Sequence, residues 1–326
     1  MQLKNSIILQ YIQEHRLRLT SRLQVIELVH TDINALFTTQ LSAHRDPERA
    51  LKEANCCEEF SNDFIAFLHK NVLLYVFPSD ANYVDANLAA EQLNKELHLW
   101  ADALYFDPFW QEMSNPNEPS NLNTLYAWAI ENYHHTHSVI QHLGAVLAHT
   151  NEPLLIAKCI NHLAEEWDHP YLFKISATRF RNAHQLPTLE DNLLPLPSTQ
   201  NICLFLQMAA KRHPFVYKSC VAVLEKTAQR VEETRQFYRN VAAQHALHDE
   251  IVAPLIRHAE TDEAYNHLNS LSLFSACYGS LPITIVEEAL KLAYSFTEAL
   301  YLWQCHLRDV YLQQPLGQGH RSRNSA

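Results

Sequence analysis

Glycine is almost missing from this chain of 326 residues. Only Gly144, Gly279, Gly317 and Gly319 occur, where about 7% of residues would be expected. That scarcity excludes a Gly-rich phosphate loop, a dinucleotide-binding fingerprint and a nucleophile elbow, all of which need glycines at fixed spacings. Cysteine is present but unpatterned. The seven cysteines form no C-x-x-C pair, and Cys159, Cys203, Cys220, Cys277 and Cys305 lie mostly in apolar helical stretches. They read as reduced core residues of a cytoplasmic protein. An excess of positive charge is lacking too. The formal net charge is −11, against the clustered Lys and Arg that a nucleic-acid surface requires. No apolar run reaches the length of about 18 residues that a membrane span needs, and "MQLKNSIILQYIQEHRLRL" has no signal-peptide cleavage pattern. Neither secretion nor membrane insertion is expected.

What is present is helical periodicity. Apolar residues make up 47% of the chain, enough for a sizeable core. With few glycines and long amphipathic stretches, the fold class reads as all-α. Residues 6–42, 47–75 and 82–105 read as three amphipathic helices of an N-terminal helical segment, 1–95. A larger helical domain, 96–314, follows, and the polar end "QQPLGQGHRSRNSA" reads as a disordered tail, 315–326. Two Pro-rich stretches, 106–123 and 184–199, read as loops. Helices are expected over 124–149, 152–167, 199–211, 214–243, 245–267 and 282–313. The N-terminal segment carries more apolar surface than a short isolated piece could bury, which suggests packing on the larger domain or across a homodimer interface.

The chain holds 20 histidines, several one helical turn from a carboxylate. Metal sites in helical bundles are built from such pairs pointing inward from facing helices. In "LLIAKCINHLAEEWDHP", a rotation of about 100° per residue groups Ile156, Cys159, Ile160, Leu163 and Trp167 into a stripe read as buried. Glu166 lies at its edge with His162 and His169 beside it, while Glu165 and Asp168 point towards solvent. In "RHAETDEAYNH", Asp262 sits at the edge of a stripe of Val252, Leu255, Ile256 and Ala259. His258 and Tyr265 share its face, and His267 is about 140° further round. In "YKSCVAVLEKTAQRVEE", Glu225 flanks a third stripe. "AIENYHHTHS" adds Glu131, His134, His135 and His137, which could bind metal or line a polar pocket. The bland alternative for each is a solvated helix edge.

The order Glu166-x2-His169, then Glu225, then His258-x3-Asp262, at intervals of about 60 and 33 residues, resembles the haem-oxygenase-like diiron oxidases. These are relatives of pyrroloquinoline-quinone synthase and TenA-like proteins. "ENYHHT", "NHLAEEWDHPYLF", "LPLPSTQNICLFL" and "HAETD" look like that family as well, over roughly residues 100–313. The resemblance implies a haem-oxygenase-like bundle and non-haem Fe(2+), two ions in the family. It also implies O2 and a small-molecule, amino-acid-derived, carrier-bound or peptide-bound precursor, with an external electron donor as a further requirement. It places metal ligands at Glu166, His169, Glu225, His258 and Asp262. The family's closing histidine falls at Tyr265, so either Tyr265 or, across a helix bulge, His267 is expected to complete the set. His134, His135 and Tyr265 are the candidate acid–base residues. The rival readings are a metal-free oxidase, in which His134 and His135 act on a self-activating substrate, and a non-catalytic helical interaction protein.

Overall fold

The structure is a computed structural model. It describes residues 2–3, 7–13, 15–20, 25–70, 74–75, 82–105, 108–113, 117, 121–184, 194–227, 231–265 and 267–312. The expected tail, 315–326, and most of the loop 184–199 lie outside the described residues. Two compact units are present, Met1–Val84 and Asp85–Ala326. The division falls at 84/85 rather than near 95, because residues 86–105 form a single continuous helix.

The first unit is not the all-helical segment expected. Residues read as one helix over 6–42 instead contain a three-stranded antiparallel sheet, β2 (Ile8–Gln13), β3 (Arg16–Thr20) and β4 (Val25–Val29). A separate short pair, β1 (Gln2–Leu3) with β5 (Leu74–Tyr75), is also antiparallel. The physical reason is the period. In "RLRLT" apolar and polar residues alternate, so Leu17 and Leu19 share one face and the arginines the other. Register pairs Leu17 with Leu28 and Leu19 with Ile26, and both leucines are buried. His15 turns the β2–β3 hairpin at positive φ. Three helices complete the unit: α1 (Ala35–His44), α2 (Pro47–Glu53) and α3 (Glu58–Lys70). Asn34 and Asp46 cap the first two through Phe37 and Arg49 amides at 2.8 and 3.1 Å. Leu17, Leu19, Phe37, Leu41, Phe60 and Phe64 belong to a core of the unit's own.

The second unit is helical apart from one three-residue strand, Ser280–Pro282. It contains α4 (Ala86–Tyr105), α5 (Pro108–Met113), α6 (Asn121–His137), α7 (Val139–Ala148), α8 (Pro153–Glu166), α9 (His169–Ala183), α10 (Pro197–Arg212) and α11 (Pro214–Thr227). Then come α12 (Val231–Gln244), α13 (Asp249–Ala264), α14 (Ser270–Ser275) and α15 (Ile283–Leu312). Helix α11 is central, packed by α4, α10, α14 and α15, and Phe215 to Val223 are buried without a break. A helix apolar on nearly all sides is expected only in such a position. Helix α6 packs on α9, and α9 in turn on α13. Pro254 lies inside α13 and has no N–H to give the carbonyl of Glu250 one turn back. Arg179 on α9 donates to that carbonyl at 2.7 Å, and Ser176 donates to the next one, Ile251, at 2.6 Å. The proline break thereby ties α13 to α9 and fixes the register of their histidines. Among the described residues no helix is long and apolar enough to cross a membrane.

Candidate metal centre

Helix α8 ends at Glu166 and, after a two-residue turn, α9 begins at His169 with Pro170 in its first turn. Proline is tolerated there because the first-turn N–H groups lack intrahelical partners anyway. The buried face of α8 is Leu155, Cys159, His162 and Glu166. The ionisable residues therefore occupy the centre of the buried stripe, not its edge. Ile160 and Trp167, read as buried, are 53% and 60% exposed. Opposite, α13 presents His258 and Asp262. The chain then leaves the helix after Ala264, and His267 opens a 3-10 turn, His267–Asn269. The expected bulge is not needed: the helix ends, and His267 returns to the site as a buried residue.

Three overlapping groups of ligand atoms each lie within 4.8 Å of one another: His169, His258 and Asp262; Glu166, Asp262 and His267; and His162, Glu165 and His267. His169 Nδ1 lies 2.8 Å from Glu166 Oε2 and 3.6 Å from Asp262 Oδ1. His258 Nδ1 lies 3.3 Å from Asp262 Oδ2. The two nitrogens of His267 face different neighbours. Its Nδ1 is 3.3 Å from Glu166 and 3.4 Å from Asp262, and its Nε2 is 3.4 Å from Glu165. The arrangement is two separate donor sets joined by a third, which shares Asp262 with one and His267 with the other.

Of the residues expected to bind metal, Glu166, His169, His258, Asp262 and His267 come together. Glu225 stands beside them, its Oε1 3.9 Å from His162 Nε2, but it belongs to none of the three groups. Instead Oε1 accepts from Lys218 Nζ at 2.6 Å, and Ser270 Oγ donates to Oε2. Tyr265 caps the end of α13 and is 47% exposed, its ring 6.0 Å from that of His267. His134 is half-buried against Tyr133 and does not line the cavity above the site, whereas His135 does. Glu165 was expected to face solvent. It is half-buried and faces His162 at 3.8 Å and His267 at 3.4 Å. Lys218 and Ser270 gave no sequence signal, since neither stands in a Glu/Asp–His spacing.

The electrostatics match a cation-binding cluster. Burial opposes charge on Glu166, yet His169, His162 and His267 hold its carboxyl well below the usual range. Contact with His162, ahead of His267, lowers Glu165. Burial would lower His267, but Asp262, Glu225 and Glu166 outweigh it and raise this imidazole to about 9. His169 is raised by Glu166 and Asp262 against burial, while burial lowers His258. His169 is fully buried, and neither of its ring nitrogens has an aligned hydrogen-bond partner. A buried polar atom without a partner is costly in a protein interior. Imidazole nitrogens and carboxylate oxygens converging here, with those of His169 unpaired, form the mixed donor set that suits iron or manganese. The residues fit a metal.

The centre forms one end of a cavity of about 400 Å³ within the second unit. Trp110, Trp128, Trp303, Phe237 and Leu206 line its apolar part, and His135, His142, Asn132 and Gln304 its polar part. Glu131, fully buried, accepts from the amide of Leu196 and from Thr199 Oγ1. It braces the wall rather than entering the site.

No family model matches the chain, and no curated protein matches it. The structure is similar to a crystal structure from Shewanella denitrificans described as a domain of unknown function with a heme oxygenase-like fold. The TM-score is 0.55 at 15% identity, and the match covers 71% of this chain and 97% of that one. The helical bundle has a haem-oxygenase-like fold. At that identity the likeness concerns the fold alone and leaves the chemistry to the site.

Proposed function

We propose that the chain is an O2-dependent oxidase or oxygenase that uses non-haem iron on a small-molecule, carrier-bound or peptide-bound substrate. The observation that carries the reading is the cluster His162, Glu165, Glu166, His169, His258, Asp262 and His267, buried or half-buried, beside a cavity of about 400 Å³. Iron held there would activate O2, with electrons drawn from the substrate or from an external donor. The protein's own part is separable. His169, His258 and Asp262 would hold one ion, and His162, Glu165 and His267 a neighbouring one, with Glu166 facing both sets. Tyr217 bonds His142 at 2.7 Å and keeps that imidazole fixed in the cavity wall. Trp110, Trp128 and Trp303 give the cavity an apolar aromatic wall.

Anaerobic protein given ferrous iron should bind one to two equivalents and consume O2 on mixing, with a transient visible absorbance. Protein that takes up no iron, manganese or zinc at neutral pH under reducing conditions overturns the reading in favour of a metal-free enzyme or an interaction protein.

A further inference from the structure

No described residue of the first unit belongs to the metal centre or lines its cavity. What that unit offers is an unfinished sheet. Its strand order, β2-β3-β4, leaves β2 and β4 at the edges. Edge β2 is guarded: its pairing with β3 slips between Tyr11 and Gln13, and Arg45 Nη2 holds the carbonyl of Ile7, just before it, at 2.9 Å. Such slips blunt an open edge, as do Lys and Pro. Edge β4 has none of these. Its sequence is "VIELV", and its register with β3 is regular from Val29 with Arg16 to Val25 with Thr20. Among the described residues no strand pairs with its outer side.

The direction of the backbone groups follows from one bond. His30 N donates to His15 O at 3.0 Å, in phase with the β3–β4 register. Bonded and non-bonded positions alternate along an antiparallel pair. Leu17 with Leu28 and Leu19 with Ile26 therefore exchange bonds, and the N–H and C=O groups of Val25, Glu27 and Val29 point away from β3. They have no described partner. Only another extended backbone matches such a row of alternating donors and acceptors. The side chains agree. Leu17 and Leu19 are 0% and 1% exposed, but Ile26 and Leu28, beside them on the core face, are only half-buried. The apolar layer thus stops short at β4. On the opposite face Val25 and Val29 are exposed and flank Glu27. Arg18 gives both Nε and Nη2 to Oε1 of Glu27, which leaves Oε2 to a cation from outside.

We propose that the open edge of β4 takes up an extended peptide segment by strand addition and, resting on the metal-oxidase reading for its fate, that this segment belongs to the substrate. It carries Lys or Arg opposite Glu27, between apolar residues that extend the layer of Ile26 and Leu28. Holding one part of a peptide on the chain raises the local concentration of the rest for the metal centre, as any tether does. A second copy of the chain fits less well. Pairing β4 with itself over its full length sets Glu27 opposite Glu27, and like charges directly opposite are destabilising. The segment "QQPLGQGHRSRNSA" lacks the alternating apolar residues.

The test is selection of phage-displayed random dodecapeptides on metal-free, full-length protein, then fluorescence anisotropy with the selected peptide made synthetically. Selected peptides should carry a basic residue between apolar ones and should slow hydrogen exchange at residues 25–29. Val29→Pro removes one outward N–H and spares the β3 ladder, since an edge strand tolerates proline there. It should weaken binding about tenfold, the worth of one hydrogen bond, with iron uptake unchanged. Glu27→Lys should turn the preference from basic to acidic peptides. Should Val29→Pro unsettle the sheet, a peptide N-methylated at alternate amides takes its place and should lose affinity for the parent protein. Joined to random extensions, the selected peptide should gain products of altered mass on incubation with iron-loaded protein, O2 and ascorbate. The proposal is overturned if no peptide is enriched, or if binding ignores Val29→Pro and N-methylation alike. Amides of 25–29 already slow in the free protein overturn it in favour of the chain's own cover, and a parent dimer that Val29→Pro dissociates does so in favour of a second copy. Docking without any change of mass removes the peptide's assignment as substrate. Because selection needs no metal, the two readings fail separately. Peptide binding in protein that never takes iron sinks the oxidase and not the docking edge; iron uptake with no bound peptide does the reverse.

Discussion

Lys218 Nζ lies 2.6 Å from Glu225 Oε1, with the lysine side chain fully buried and its ammonium 5.2 Å from the Phe274 ring centroid. The carboxylate that the family resemblance assigns as a metal ligand is thus already paired with a protein cation. Two like charges compete for one acceptor: Glu225 serves a metal only to the extent that it leaves Lys218.

Lys218→Met tests this competition. Stripping one partner from a buried ion pair costs about 3–5 kcal/mol, so the metal-free variant should melt well below the parent. Glu225 then faces His162 without a counter-ion, and added ferrous iron or manganese should raise the variant's Tm more than the parent's. Equal metal-induced shifts in the two proteins would show that Glu225 takes no part in binding even when released.

His267 and Tyr265 separate cleanly. His267 is buried between Glu165, Glu166 and Asp262, whereas Tyr265 is half exposed at the helix end. His267→Ala should lower metal affinity by more than the roughly tenfold to hundredfold that losing an outer partner costs. Tyr265→Phe should leave affinity and the ferric visible spectrum unchanged. A phenolate-to-iron band that disappears in Tyr265→Phe would reverse the assignment.

The difference between what was legible and what was not follows from how helix faces are read. His258 and Asp262 could be found because one-turn spacing places donors on a shared helix face whatever the neighbours do, and Glu166 and His169 because the same short spacing keeps them together across the α8–α9 turn. Glu165 could not, because its role depends on His267 arriving from beyond the end of α13. The phase of α8 was misjudged for a related reason: apolar residues were taken to mark the interior. Here the interior face carries His162 and Glu166, and Ile160 and Trp167 are left outside. Lys218 was hidden in a run buried on every side, where periodicity carries no information. The strands of 8–29 failed by period alone, since short apolar alternation was read at 3.6 rather than 2.

Glu165→Ala is expected to matter, contrary to a solvent-facing placement. The change removes one of three donors from the set His162, Glu165 and His267, and leaves His169, His258 and Asp262 intact. Titration with ferrous iron should show one equivalent retained at parental affinity and a second weakened by about tenfold or more. Two unaltered equivalents would return Glu165 to the surface.

The metal centre should survive loss of the first unit. Every ligand and every described residue lining the cavity belongs to Asp85–Ala326, and Met1–Val84 has a core of its own. A chain starting at Asp85 should keep its helical circular dichroism and its iron stoichiometry. An unfolded product, or one that binds no iron, would mean that the bundle needs the mixed unit to fold.

The pH dependence follows from His267. With its imidazole raised to about 9 by Asp262, Glu225 and Glu166, the metal-free protein carries an imidazolium there at neutral pH. A ligand nitrogen must give up its proton to bind metal. Ferrous iron should therefore displace at least one proton per ion at pH 7.5, seen as a binding enthalpy that varies with the ionisation enthalpy of the buffer. Apparent affinity should climb from pH 7 towards 9 and then level off. Stability moves the other way in the metal-free protein. A raised folded-state value means that the stabilisation is complete below the free imidazole's range near 6.5 and is lost as pH rises through about 9. Glu166, held low, has the opposite sign and is lost only in acid, so it does not mask the effect. The metal-free Tm should fall between pH 7 and 9.5, while the iron-loaded Tm holds steady because the proton has already gone. A metal-free Tm that is flat or rising across that window, together with buffer-independent enthalpies, would show that His267 is neutral at rest and that the carboxylates around it are held together by something else.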